Sequence, residues 1–327
     1  MKYILVTGGL GFIGSHTCVE LLNNGHHIVI IDNLSNSKEN VKNSIISITN
    51  SSNIEFYKID ITNVLELEFI FHKYEFYLII HFAGLKAVNE SIKKPLLYYK
   101  NNVEGSINLF DFASKYNVNN IIFSSSATVY GYNDYPVDEK SEVGKGITNP
   151  YGQTKYMIEK ILKDMVKSNN KLSVVILRYF NPVGAHSSGL LGENPNDIPN
   201  NLFPHILKQK LTIFGSDYNT YDGTCVRDFI HVVDLAKGHI SAMKKINQPG
   251  CHIYNLGSGK GTSVLDFIQT FENVNSVKID YKYGDRREGD LECVYAMVNK
   301  AYEELGWKSN LTIEEICKDG YRYYNIY

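Results

Sequence analysis

Gly8-Gly9-Leu10-Gly11-Phe12-Ile13-Gly14 is the stretch on which the fold turns. Ahead of it, Lys2-Tyr3-Ile4-Leu5-Val6-Thr7 is an apolar run without alternation, as in a parallel strand buried on both faces. Behind it, Cys18, Val19, Leu21 and Leu22 recur at helical spacing, and a second apolar run, Ile28-Val29-Ile30-Ile31, ends on Asp32. Strand, glycine turn, helix, strand and terminal carboxylate is the context a dinucleotide-binding motif requires. Gly8 permits the tight turn, Gly11 lets the backbone approach a pyrophosphate, and Gly14 lets the helix pack closely. The helix start, at Phe12 and Ile13, offers free N–H groups to phosphates. Asp32 suits ribose hydroxyls and repels a 2′-phosphate, which favours NAD over NADP. The spacing is G-x-x-G-x-x-G rather than G-x-G-x-x-G, and a glycine turn alone is common. The flanking strands and Asp32 carry the assignment.

Further buried strands read at 54–58, 77–82, 120–125 and 172–179, with helical patterns between them, notably at 98–116 and 151–168. This alternation predicts an α/β fold, a doubly wound parallel Rossmann-type sheet covered on both faces. Ligands then sit at the carboxyl ends of the strands, which gathers Gly8–Gly14, Asp32, Asp60, Ala83-Gly84-Leu85-Lys86 and Ser124–Thr128 on one edge. After Asn181-Pro182 the chain becomes richer in Gly, Pro and Asn, with long loops around 184–201 and 215–225. Residues 1–181 are expected to form the dinucleotide-binding domain. Residues 182–327 are expected to form a smaller substrate-binding α+β lobe, with elements near 226–257 returning to the sheet. The Ser/Asn-rich residues 35–53 read as a surface insertion.

The chain has 327 residues, 43% of them hydrophobic, and a net charge of −2, so no global field draws it to nucleic acid or membrane. Its amino-terminal apolar run is too short for a signal peptide, and no stretch could span a bilayer. Cysteines 18, 225, 251, 293 and 317 show neither paired nor metal-binding spacing, and the histidines show no ligand spacing. A cytoplasmic, reducing setting and no metal are expected. Only five arginines occur, at 178, 227, 286, 287 and 322. A chain that defaults to lysine keeps arginine where the planar fork matters, as for a phosphate. Arg227 and Arg287 stand in distinctive stretches; a structural ion pair with a neighbouring Asp is the competing reading.

Tyr151-Gly152-Gln153-Thr154-Lys155, after the run Ser124-Ser125-Ser126-Ala127-Thr128, carries the chemistry. Tyr and Lys four apart project from one helix face. A free phenol, with a pKa of about 10, is a poor base at neutral pH. A lysine ammonium about 4 Å away would lower it by about three units, roughly 4 kcal/mol at an effective dielectric near 20. That brings it into the range of general acid–base catalysis on a hydroxyl. Tyr-x-x-x-Lys alone more often marks a solvated helix face, so its company decides.

Assembled, these residues resemble the extended short-chain dehydrogenase/reductase family, and specifically its nucleotide-sugar epimerases. The likeness runs nearly end to end, through Thr7–His16, His81–Val88, Ser124–Gly131, Tyr151–Lys155, Arg178–His186, the Arg227 segment and Arg286–Asp290. It implies an NAD-dependent isomerase of galactose metabolism that interconverts UDP-galactose and UDP-glucose. The C4 hydride passes to tightly bound NAD, the 4-keto sugar swings over, and the hydride returns to its other face. By this resemblance Tyr151 takes the proton from the 4-hydroxyl, Ser126 and Thr128 hold that oxygen, and Lys155 tunes Tyr151 and holds the nicotinamide ribose. The implied cofactor positions are the glycine turn with Phe12 and Ile13, then Asp32, Asn33, Ser37, Asp60, Ile61, Phe82, Ala83, Gly84, Lys86, Asn101, Ser124 and Phe180. The implied UDP-sugar positions are Lys86, Ser126, Ala127, Thr128, Asn181, Asn200, Asn201, Leu202, Phe214, Arg227, Arg287, Asp290 and Val294.

Val294 stands where a bulky Tyr in the family goes with exclusion of N-acetylated sugars, so UDP-GlcNAc and UDP-GalNAc are expected substrates too. The competing reading is a packed core residue. A 4,6-dehydratase would carry an Asp-Glu pair where this chain has Ala127-Thr128. A uronic-acid epimerase lies further from these segments. A non-catalytic NAD-binding scaffold would typically lack Tyr151 or Lys155. Apolar stripes at Val103, Ile107 and Phe110, and at Ile158, Ile161, Leu162 and Met165, read as packing on the sheet. In the family such helices pair with a partner's, which implies a homodimer.

Overall fold

The computed structural model describes residues 2–194, 202–207, 210–287 and 290–326. Seven parallel strands form the central sheet in the order Gly250–Leu256, Ser173–Tyr179, Asn120–Ser126, Phe76–His81, Tyr3–Thr7, Ile28–Asp32, Ile54–Lys58. The direction of winding reverses between Tyr3–Thr7 and Phe76–His81, and a crevice opens there at the carboxyl ends.

Strand residues alternate between two cores. Ile4, Val6, Ile28, Ile30, Leu78 and Ile80 meet Cys18, Leu21, Leu22 and Leu235 on one face. There the helices Phe12–Asn23 and Val232–Ala242 pack together. Leu5, Val29, Ile31, Ile79 and Phe123 meet Leu67, Ile70, Leu109, Phe110, Ile158 and Leu162 on the other. That face carries the helices Val64–Lys73, Gly105–Lys115 and Pro150–Ser168. Both faces are covered, which is why the strand sequences lack polar alternation.

Two sequence expectations change. Residues 35–53 lie mostly at the surface, as expected, but as part of the α/β layer and not as an insertion: Val41–Thr49 is a helix whose Ile45 is fully buried, packed on Phe12–Asn23. The helix expected at 98–116 starts at Pro95 and contains a π-helical segment, Tyr99–Glu104, before Gly105–Lys115. A π turn shifts the helix face by part of a turn, and here it carries Asn101 and Asn102 toward the crevice side.

Beyond Tyr179 the chain builds a second body. The helices Val264–Asn275 and Ile313–Ile326 enclose a core of Phe203, Ile206, Ile213, Phe229, Phe267 and Ile316. Short strand pairs complete it, among them Val226–Arg227 with Cys293–Val294. Within this part of the sequence Gly250–Leu256 returns to the sheet edge. Among the described residues no helix is long and apolar enough to cross a membrane.

The helix Pro150–Ser168 is fixed by a buried ion pair. Arg178, on the adjacent strand, donates from Nη2 and Nε to Glu159 Oε2 and Oε1 at 2.7 and 2.9 Å, with both side chains almost wholly buried. Ser125 Oγ donates to Glu159 at 2.6 Å, and Arg178 Nη1 to the Tyr130 hydroxyl at 3.0 Å. Tyr130 in turn donates to Asn255 Oδ1 at 2.6 Å. One carboxylate thus ties the helix to strands Asn120–Ser126 and Ser173–Tyr179, with Gly250–Leu256 joined through Tyr130. Glu159→Ala would strand the guanidinium in a water-free site, at a cost of about 3–5 kcal/mol. Equilibrium denaturation should read this as a clearly lower midpoint; an unchanged midpoint would contradict the assignment.

Candidate active site

The crevice holds a cavity of about 440 Å³. Its floor is the glycine turn. Gly8 has φ +66°, and a Cβ there would lie 2.7 Å from Ala83 N. A Cβ on Gly14 would collide with the Gly8 carbonyl and come within 2.9 Å of Gly9 Cα. Only glycine fits either place. Gly11 is less confined, since its Cβ would meet only the Gly8 oxygen at 3.2 Å. No side chain caps the helix that starts at Phe12, so its first N–H groups remain for a ligand.

Asp32 ends its strand at the cavity wall, 8% exposed. It accepts from Leu10 N at 3.1 Å, Leu34 N at 2.9 Å and Ser37 Oγ at 2.8 Å. Three of a carboxylate's roughly four acceptor positions are therefore used, and the fourth lies on Oδ2. Asn33 also lines the cavity, held by its Nδ2 donating to Asp60 Oδ2 at 2.8 Å. Asp60 itself lies behind this wall. Hydrogen bonds from Asn33 and Thr62 outweigh its burial and hold its carboxyl below the usual range. Ile61 lines the cavity; Phe180 does not, being packed with Ala127, Val129 and Tyr130.

The second wall is Phe82-Ala83-Gly84-Leu85-Lys86, placed by a chain of buried hydrogen bonds. Ala83 N donates to Thr7 Oγ1 at 3.2 Å, and Thr7 Oγ1 pairs with His81 Nδ1 at 2.7 Å. His81 Nε2 meets Ser106 Oγ at 2.8 Å, and Ser106 donates to the Asn102 carbonyl at 2.5 Å. Because Ser106 spends its proton on Asn102, it accepts from His81, so His81 is protonated on Nε2 and accepts from Thr7. Burial pushes the imidazole down to about 3, which keeps this neutral tautomer. Asn102 then accepts from Leu85 N at 2.8 Å and donates to Leu85 O and Thr154 Oγ1, each at 3.0 Å. Asn101 Nδ2 donates to Asn102 Oδ1 at 2.9 Å. Asn102 is the organising residue here, and the sequence reading passed over it. The only trace in the sequence is the pair Asn101-Asn102 inside a helical run.

Tyr151 and Lys155 close the inner end of the cavity with Ser124 and Tyr179. Asn149 accepts from Gly152 N at 2.9 Å and starts their helix at Pro150. Ser126 lies close enough to Tyr151 to favour its ionised form, and Ser126 Oγ accepts from Thr128 N at 3.3 Å. Lys155 Nζ donates to the Ser124 carbonyl at 2.7 Å and lies 6.0 Å from the Tyr151 ring centroid. The helical spacing thus does bring the ammonium beside the phenol ring. Burial raises Tyr151, with the nearby Ser126 opposing it, and burial brings Lys155 down to about 7. The Ser124 carbonyl takes one of the lysine's donors and leaves its charge intact, while desolvation disfavours the charged form of both groups. Thr128 Oγ1 is buried without a partner, close to Gly152.

The expected sugar-nucleotide residues form a second group. Arg287 Nε donates to Asp290 Oδ2 at 2.9 Å, and Arg227 Nη2 lies 3.9 Å from Asp290 Oδ1. Arg227 is braced by the carbonyls of Val226 and Leu291 at 2.9 and 2.8 Å. The Arg287 guanidinium lies 4.9 Å from the Phe214 ring centroid. One carboxylate between two guanidinium groups leaves a net positive site. Val294 pairs with Arg227 and is partly buried against the cluster of Ala127, Val129 and Phe180. Asn181 pairs with Phe229, and Leu202 opens the helix Leu202–Leu207 in the second core. Asn200 and Asn201 lie outside the described residues. Leu190–Asn194 and Tyr323 also line the cavity. They come from a loop and the last helix, carry no motif, and were not legible in the sequence.

Residues 4–257 match the model of the NAD dependent epimerase/dehydratase family. The UDP-glucose 4-epimerase of Haemophilus influenzae is 52% identical, over 97% of this chain and 95% of that protein. The human UDP-glucose 4-epimerase is 48% identical, over 98% and 95%. The Bifidobacterium longum UDP-glucose 4-epimerase, solved with NAD+ and UDP, superposes with a TM-score of 0.96 at 44% identity, over 99% of this chain and 98% of that one. The UDP-Glc/GlcNAc 4-epimerase of Campylobacter jejuni superposes with a TM-score of 0.85 at 33% identity, over the whole of both chains. With its glycine turn, Asp32 and the Tyr151–Lys155 helix converging on one crevice, the chain belongs to the NAD dependent epimerase/dehydratase family.

Proposed function

We propose that the protein is an NAD-dependent isomerase that interconverts UDP-galactose and UDP-glucose. The observation that carries this reading is the meeting of Tyr151, Lys155 and Ser124 at the inner end of a cleft built for a dinucleotide, with Ser126 next along the strand. The residues present fit NAD: a turn that excludes Cβ atoms, an uncapped helix start, and Asp32 with one acceptor position open. Gly8–Gly14 with Phe12 and Ile13 would hold the pyrophosphate, Asp32 and Asn33 the adenosine ribose, and Lys155 the nicotinamide side. Bound there, NAD supplies a hydride acceptor and donor for C4 and brings a positive ring charge into the cavity that Tyr151 lines.

The chain's own residues handle the proton. Tyr151 takes it from the 4-hydroxyl at its phenolic oxygen and returns it to the other epimer. Ser126, beside the phenol, would orient that oxygen, and Thr128 Oγ1, buried without a partner, would accept from or donate to the same sugar hydroxyl. Both faces of the sugar must be presented in turn, so the hexose cannot be gripped hard. Binding then rests on the nucleotide end, equally for both epimers. Arg227 and Arg287 suit a diphosphate there, with Asp290 fixing the separation of their forks.

Val294 supports acceptance of N-acetylated UDP-hexoses by its size, since it is smaller than the Tyr that goes with their exclusion in the family. A homodimer is also supported: Leu96, Leu97 and Ile107, on the helical run before and after the π turn, are 80%, 45% and 40% exposed. Phe110, Ile158 and Leu162 are spent on the sheet.

Tyr151→Phe should lower epimerisation by about 10²–10⁴-fold while bound NAD stays at the wild-type level. Because the phenol must ionise, wild-type turnover should rise with pH through neutrality. Wild-type rates from the variant would remove Tyr151 from the mechanism. With UDP-GlcNAc as substrate, turnover is expected and Val294→Tyr should abolish it selectively; no wild-type turnover on UDP-GlcNAc beside full activity on UDP-galactose would sink the specificity reading. Sedimentation velocity at micromolar concentration should give the mass of two chains, and a monomer would contradict the interface.

A further inference from the structure

Glu193 was not among the residues the motifs singled out, yet it bridges the mouth of the cleft. Its Oε1 accepts from Lys86 Nζ at 2.8 Å, and the Glu193 side chain is only 9% exposed. The two residues come from opposite sides of the cavity. Lys86 ends the wall that follows strand Phe76–His81, and Glu193 follows a turn in the second body. That turn is a small closed unit: Ala185 and Gly192 form an antiparallel bridge, and His186 N donates to Leu191 O at 2.8 Å.

The turn is itself held from behind by the helix Ile313–Ile326. Arg322 Nη1 donates to the Ser187 carbonyl and is paired with Asp319 at 3.0 Å. Asp319 also meets His231 Nε2 at 3.3 Å. A Cβ on Gly192 would lie 2.5 Å from Tyr323 Cδ1, so the turn seats directly on that helix, and Tyr323 reaches the cavity too. The second body therefore touches the cofactor wall through a braced, nearly buried carboxylate.

We propose that Glu193 is a positioning residue that clasps the cleft through Lys86 and slows escape of the dinucleotide. This rests on the reading of the cleft as an NAD site. An enzyme that reduces and reoxidises its own cofactor gains nothing from exchanging it, and a two-sided closure makes retention a matter of opening the clasp. The pair joins elements 107 residues apart in sequence, so opening it requires the Leu190–Asn194 segment to move away from Lys86.

The test is exchange of bound NAD against labelled NAD in the purified holoprotein. Glu193→Ala should speed exchange by on the order of tenfold, the loss of one charge-assisted hydrogen bond, with Glu193→Gln between it and wild type. Raising salt should speed wild-type exchange more than exchange in Glu193→Ala, because only the wild type has the ion pair to screen. The unfolding midpoint in saturating NAD should stay unchanged, which separates clasp from scaffold. Equal exchange rates and salt slopes, or slower exchange in the variants, would overturn the clasp. A wild-type protein that binds no NAD at all would overturn the dinucleotide reading, and the clasp with it.

Discussion

The site depends on one buried carboxylate. Glu159 lies on the same helix face as Lys155, one turn on, and its two oxygens take Arg178 and Ser125. A purely apolar contact would fix the helix Pro150–Ser168 on the sheet only to within the slack of side-chain packing. The bidentate fork has one geometry, so it sets both the rotation and the height of the helix. Tyr151 and Lys155 inherit that position: Lys155 reaches the carbonyl of Ser124, the residue before Ser125, and Tyr151 lies one turn earlier on the same face. The pair is expensive to bury and gains little net stability over apolar residues. Its value is in placement.

A second buried chain, Thr7–His81–Ser106–Asn102–Thr154, does the same for the opposite wall. It starts on the central strand and ends on the Tyr151 helix, where Thr154 Oγ1 donates to the Tyr151 carbonyl at 2.7 Å. Every donor in it has an acceptor, which is what a dry site requires. The two networks join the cofactor side and the proton-handling side of the cleft to one sheet. By contrast the cleft's outer rim is built from a loop and the last helix, held by exposed or partly exposed pairs.

Legibility in the sequence followed the range of the interactions. The glycine turn, Asp32 and the strands could be read because their constraints are local: a missing Cβ, a strand end, a continuous apolar run. Tyr151 and Lys155 could be read because helical spacing is local too. The π turn at Tyr99–Glu104 could not, since it answers to Asn102 meeting Leu85 across the fold. The helix Val41–Thr49 was hidden by its Ser and Asn content, although Ile45 and Ile46 anchor it. The burial of Tyr151 and Lys155 was not legible: spacing along a helix fixes direction, whereas the desolvation that raises the phenol and lowers the ammonium comes from the rest of the fold. Of the five arginines, Arg227 and Arg287 do converge on Asp290, whereas Arg178 serves the interior.

The central claim is a cleft that keeps its own NAD and uses it to invert one sugar centre. The direct measurement is to purify the protein, add UDP-galactose without NAD, and assay for UDP-glucose. Conversion without added cofactor is the predicted result. No conversion, with or without added NAD, would contradict the account and leave a dinucleotide-binding fold with some other chemistry.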